Sequence, residues 1–170
     1  MEKTTVRSAA REISYTAMFV AIIAVCAWIA IPLPSNISIT LQTMGVCLAA
    51  GFLGWKRGLI AVAVYILLGL CGVPVFQGFT AGAAKLGSVT GGYIVGFLFT
   101  AAAVGLAADY IKVKSGWLRA AVLVAAMVVG VALCYLFGTI WFIYVYNAGA
   151  DTTVTFAAAL MTCVVPYILP

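Results

Sequence analysis

The sequence predicts an all-α integral membrane protein. Three observations carry that prediction: a composition too apolar for water, five long apolar runs, and cations confined almost entirely to one face. Of the 170 residues, 66% are apolar and 8% charged, and the mean hydropathy is +1.22. A soluble domain is about half apolar and a quarter charged, so this chain has too little polar surface to meet water. That excludes a secreted disulfide scaffold, a nucleic-acid-binding domain, a disordered tail and an ordinary cytosolic enzyme. Cys26, Cys47, Cys71, Cys134 and Cys163 stand singly in apolar runs and read as small hydrophobes. There is no histidine, the commonest metal ligand and general base, so neither a metal site nor a cofactor is expected.

A bilayer-spanning helix needs about 20 mostly apolar residues. The first span covers 13–31 and is closed by Pro32 and Pro34. The second, 38–54, carries Thr40, Gln42 and Thr43 near its start, and the third covers 58–73. The fourth covers 92–108. The fifth, 117–146, exceeds a hydrocarbon core of about 30 Å and is expected to tilt, kink or protrude. Residues 154–165 read as a short apolar helix ahead of Pro166, and the whole of 1–170 as a single transmembrane domain.

Charge placement orients the spans. Lys3, Arg7 and Arg11 precede the first; Lys56 and Arg57 join the second to the third; Lys112, Lys114 and Arg119 join the fourth to the fifth. If the spans alternate, these eight of the nine cations share one side, and the positive-inside rule places them and the amino terminus in the cytoplasm. The amino-terminal run lacks an Ala-x-Ala exit and is expected to stay as a helix rather than be cleaved. Lys85 alone falls outside, in the link VPVFQGFTAGAAKLGSVTGG from Val73 to Gly92.

That link is too apolar for a free loop and too broken for a span, so it is expected to fold back over the bundle as a lid. Thr90 reads as the N-cap of the fourth span, whose amino end then faces outside with unpaired N–H groups and partial positive charge. Lys85, five residues earlier, is placed to converge with that helix start on one carboxylate. The alternative is a solvated loop lysine. Gln42 and Thr43 supply neutral donors and acceptors at the same level; Gln42 can equally satisfy helix ends near 32–36. Trp141 lies one turn after Gly138, whose missing side chain leaves space, and with Tyr135 and Tyr144 it is expected to wall a flat ligand. Phe142 and Tyr146 read as interface aromatics. Asp151 is expected to cap the 154–165 helix, and Asp109 to pair in solvent with Lys112 and Lys114. Ala17-x-x-x-Ala21 and Gly92-x-x-x-Gly96 allow close helix approach.

There is no phosphate-binding G-x-x-x-x-G-K-[ST] loop, and no acidic residue inside the first three spans or the fifth, so uptake of a solute must draw its energy from another protein. An enzyme is not expected, because no two reactive groups share a face and no base is available.

The stretches ISITLQTMGVCLAAGFLGWKRG (37–58), YILLGLCGVPVFQGF (65–79), LGSVTGGYIVGFL (86–98), YLFGTIWF (135–142) and VVPYILP (164–170) together resemble the BioY family, the biotin-binding S components of energy-coupling-factor (ECF) vitamin transporters. The resemblance implies a six-helix S-component bundle, with five complete spans present here and the last helix missing after Pro170. It implies a subunit of the bacterial plasma membrane that captures biotin from outside and works with a transmembrane coupling subunit and two ATPase subunits, in the lipid bilayer and without nucleic acid. It implies that Gln42, Lys85, Ser88, Thr90, Gly91, Tyr93, Trp141 and Tyr144 line the pocket, and that Ala17 and Ala21 meet the coupling subunit. Where the family usually has Gly-Pro-Thr-Gly-Gly, this chain has Ser88-Val89-Thr90-Gly91-Gly92. The alternatives are an S component for another small carboxylate or vitamin and, from other classes, a ligand-free assembly subunit or a small membrane enzyme.

Overall fold

The computed structural model describes residues 2–31, 39–111 and 115–149. It runs α1 (Glu2–Trp28), β1 (Ala30–Ile31), β2 (Ile39–Thr40), α2 (Gln42–Leu70), a 3₁₀ turn (Gln77–Phe79), α3 (Ala83–Gly87), α4 (Gly91–Tyr110) and α5 (Gly116–Gly149). The short helix expected over 154–165, Asp151, and the last helix after Pro170 lie outside the described residues. So do Lys112 and Lys114.

The first span ends earlier than its hydropathy suggests. Ala30 and Ile31 leave the helix to pair antiparallel with Thr40 and Ile39, and Leu41 N–H donates to Ile29 C=O at 3.2 Å. Ile31 precedes Pro32, whose ring disfavours helical backbone at the residue before it. The same ribbon delays the second helix to Gln42 rather than 38. In a chain this apolar, non-helical backbone must find internal partners, and the ribbon provides them.

Four helices among the described residues are long and apolar enough to cross a membrane, but α2 is folded double. Gly54, at φ 78° and ψ −179°, breaks it into arms 42–53 and 55–70. The arms are antiparallel, because Gln42 hydrogen-bonds Tyr65 at 3.0 Å and a Cβ on Gly58 would lie 2.8 Å from Ala50 Cα. The second and third spans of the sequence reading are these two arms. Lys56 and Arg57 occupy the first turn of the second arm rather than a loop.

Asp109, at the end of α4, holds the reversal. Its Oδ2 accepts the Trp55 N–H at 2.9 Å, so it caps the start of the second arm from a different helix. The solvent pairing with Lys112 and Lys114 gave it no such role. Arg57 forms an ion pair with Glu12 of α1 at the same end, on groups about half exposed. Such a pair contributes about 0–1 kcal/mol.

The core sits where α1, both arms of α2 and α4 meet, around Ile23, Val46, Ala49, Val62, Tyr65, Ala101 and Val104. α5 lies antiparallel on α4: Gly92 meets Trp141, Gly96 meets Cys134, and Thr100 Oγ1 donates to Gly130 C=O at 3.0 Å. Gly92-x-x-x-Gly96 is therefore used inside the bundle. The other face of α5, including Val124, Val128, Leu133, Leu136 and Ile140, is exposed apolar surface suited to lipid.

Alanine at Gly54 must take a backbone conformation essentially restricted to glycine, at a cost of about 1–3 kcal/mol, and drives its Cβ into the Asp109 carboxylate. Purified Gly54→Ala is expected to melt below the parent in the same detergent; an unchanged midpoint would refute the role given to this turn.

Candidate functional site

The end of the bundle opposite the Glu12–Arg57 pair is closed by residues 71–90. Gly82 N–H donates to Gly69 C=O at 2.7 Å, Phe76 N–H donates to Thr80 C=O at 3.1 Å, and the Phe76 ring lies buried against Gly69 and edge-on to Tyr65, centroids 5.6 Å apart. Trp28 at the end of α1 holds the link from the side: its Nε1 donates to Pro74 C=O at 3.0 Å and its ring stacks on Phe79 at 4.9 Å. The link thus folds back over the bundle.

One cluster forms where this link enters α4. Ser88 Oγ donates to Lys85 C=O at 2.6 Å and lies 3.0 Å from Thr90 Oγ1. The Ser88 carbonyl accepts two donors, Gly91 N–H at 3.0 Å and Trp141 Nε1 at 3.2 Å, and the second ties the turn to α5. Thr90 holds the N-cap position, but its side chain makes no capping bond: its backbone is already helical (φ −89°, ψ −10°) and its hydroxyl is engaged with Ser88. The expected Thr90 cap is corrected accordingly. Lys85 is half-buried in α3 and has no ion pair among the described residues.

The space expected over Gly138 is filled. The Tyr93 ring occupies it, 6.0 Å from Tyr135 in an edge-on arrangement, with its hydroxyl 3.5 Å from Thr139 Oγ1. Trp141 packs instead on Gly92. Close approach of this kind requires a residue without a side chain, which is why α4 and α5 meet at glycines. Tyr144, one turn beyond Trp141, is 74% exposed and stands apart from the cluster. Phe142 and Tyr146 stack on each other at 5.5 Å.

Gln42 belongs to a second network at the same end. It is buried, its Nε2 donates to Tyr65 Oη at 3.0 Å, and Tyr65 Oη donates to Val75 C=O at 3.1 Å. The helix ends near 32–36 that it was expected to satisfy lie outside the described residues. Ser88, Thr90, Gly91, Tyr93 and Trp141 are therefore brought into one cluster, with Lys85 attached through its backbone. Gln42 is joined through Tyr65 to the same covering link. Tyr65, Trp28 and Thr139 were missed in the sequence, although a tyrosine inside a fully apolar run signals a hydroxyl that must find a partner.

Ala17 and Ala21 lie on the outer face of α1. With Ala24, Trp28, Leu68 and Pro74 they line an apolar groove of about 500 Å³. Among the described residues no group of Cys, Asp and Glu side chains gathers to hold a metal ion.

The BioY family model matches residues 1–170. A biotin transporter BioY of Thermotoga maritima is 41% identical over 128 residues, covering 75% of this chain and 72% of that protein. A probable biotin transporter BioY of Pyrococcus horikoshii is 33% identical over 161 residues, covering 95% and 87%. Among solved structures, the crystal structure of an S-component for biotin from an ECF-type ABC transporter superposes with a TM-score of 0.76 at 28% identity, covering 92% of this chain and 80% of that one.

A methyl group on Gly92 displaces Trp141 and breaks its bond to Ser88 C=O. In a chain whose other three tryptophans are phenylalanine, Gly92→Ala is expected to shift Trp141 fluorescence to longer wavelength; an unmoved spectrum would count against the packing described.

Proposed function

Because the chain belongs to the BioY family, we propose that it is the substrate-binding subunit of an ECF-type vitamin uptake transporter, capturing biotin from outside for ATP-driven import by partner subunits. It is a transport protein and not an enzyme. The observation that carries the ligand is the superposition over 92% of the chain on an S-component for biotin.

The geometry supports a division of labour along the ligand. Biotin has a carboxylate on a flexible apolar tail and a ureido ring that needs amide-like partners. Lys85 and the amino end of α4 supply positive charge for the carboxylate. Trp141 and Tyr93 offer flat apolar walls with polar edges, and Ser88, Thr90 and Gly91 shape the turn between them; Tyr144, exposed and apart from this cluster, would reach the ligand only from outside it. Gln42 provides the neutral amide for the ring.

The chain carries no phosphate loop, which supports a reading in which ATPase subunits supply the energy through a transmembrane coupling subunit. The groove beside Ala17 and Ala21 is where that subunit would dock: its floor of small residues lets helix backbones approach, and packing of this kind drives helix association in lipid. The amino terminus, Lys56 and Arg57 then face the cytoplasm of a bacterial plasma membrane.

Lys85→Met removes a charge-assisted hydrogen bond worth about 1.5–3 kcal/mol, so biotin affinity is expected to fall by about ten- to a hundredfold with normal membrane insertion. Titration calorimetry on protein in nanodiscs measures it, and an unaltered affinity would refute the assignment. Sidedness is checked separately in a cysteine-free background: an impermeant thiol reagent added to whole cells is expected to label a cysteine placed at 85 and to miss one at 56. The reverse pattern would invert the topology.

A further inference from the structure

Tyr65 lies in the second arm of α2 with no exposed surface, and its hydroxyl sits between two partners of different character. Val75 C=O, 3.1 Å away, can only accept, so the single phenolic proton is committed to it. The oxygen is left as an acceptor. Gln42, 3.0 Å away on its other side, must then turn its NH₂ group toward Tyr65 and its carbonyl oxygen the other way. An amide is nearly symmetric in shape, and only such proton accounting decides which end points where.

The acceptor that commits the proton is itself fixed. Val75 follows Pro74, whose carbonyl is held by Trp28 Nε1 at 3.0 Å, and precedes Phe76, whose ring is packed against Gly69 and whose N–H is bonded to Thr80 C=O. Tyr65 is therefore anchored at its ring by Phe76, centroids 5.6 Å apart, and at its hydroxyl by the covering link. Gln42 is 4% exposed, and no hydrogen bond reaches its Oε1 from the described residues. A carbonyl oxygen this deeply buried calls for a donor, because leaving it unmet carries the full desolvation penalty.

We propose that Tyr65 is a positioning residue that holds the Gln42 amide with its carbonyl oxygen turned toward an N–H donor of the bound ligand, the ureido N–H in the case of biotin. The inference rests on the reading that Gln42 lines the biotin pocket. Tyr65 then acts on specificity as well as affinity: a locked Gln42 carbonyl accepts a ring N–H and repels a ring acceptor at the same place.

The test is a double-mutant cycle with Gln42→Leu and Tyr65→Phe, biotin affinity being measured on the full chain in nanodiscs. Gln42→Leu is expected to weaken biotin binding by about tenfold, Tyr65→Phe by about three- to tenfold, and Tyr65→Phe to add nothing once Gln42 is leucine. An equal effect of Tyr65→Phe in both backgrounds would overturn the positioning role while leaving Gln42 in the pocket. No effect of Gln42→Leu would remove Gln42 from the pocket and overturn both. Should Tyr65→Phe fail to insert, biotin methylated at the ureido nitrogens decides: methylation is expected to cost the parent chain more affinity than it costs Gln42→Leu, and equal costs would overturn the proposed orientation.

Discussion

The reversal at Gly54, held by the Asp109 carboxylate on Trp55 N–H, governs where every other part of the bundle stands. A straight helix over the 29 residues of α2 would be about 43 Å long, with Gln42 and Tyr65 about 35 Å apart. Folded double, the same residues meet at 3.0 Å. The turn thereby gathers the cationic residues 56 and 57 with Glu12 at one end and leaves the neutral polar groups at the other. Asp109 performs two tasks here: it satisfies a backbone donor that the break in α2 exposes, and it ties the carboxyl end of α4 to the hairpin.

The bilayer sets the rules for how the remaining helices join. Lipid tails are as apolar as leucine, so burying one apolar side chain against another gains little, and close backbone contact and interhelical hydrogen bonds carry the association. The α4–α5 seam follows that logic along its length, with glycines at 92, 96, 130 and 138 and the Thr100 hydroxyl on the Gly130 carbonyl. Trp141 and Tyr93 are seated by the same glycines, so helix packing and the shape of the candidate pocket are one arrangement and not two.

Much of the architecture was legible because bilayers impose strong, local signals. Length of apolar run, proline and charge marked five apolar segments, two of which are the arms of the α2 hairpin. The Lys56–Arg57 pair pointed to the hairpin within two or three residues of its true apex, Gly54. Charges sit beside a turn more often than in it, and Gly54 itself looks unremarkable among many glycines. Thr90 was legible as a position but not as a cap, because a neighbouring Ser88 hydroxyl competes for it. Tyr65 with Gln42, Tyr93 over Gly138 and Asp109 with Trp55 were not legible at all. Each joins residues far apart in the chain, and no periodicity in a single segment encodes which distant group fills a gap.

Exposed aromatic residues stand at the two ends of α5, and such residues favour the interfacial layers of a bilayer. Trp117 is 86% exposed at one end and Tyr144 74% exposed at the other, separated by about 40 Å of helix, close to the thickness of a bilayer with its headgroups. An aromatic residue at each end suits α5 to reach both interfacial layers and act as a depth gauge. Trp141 is one turn from Tyr144, so the cluster that joins Ser88 to Trp141 lies toward the same interfacial layer as that aromatic end of α5.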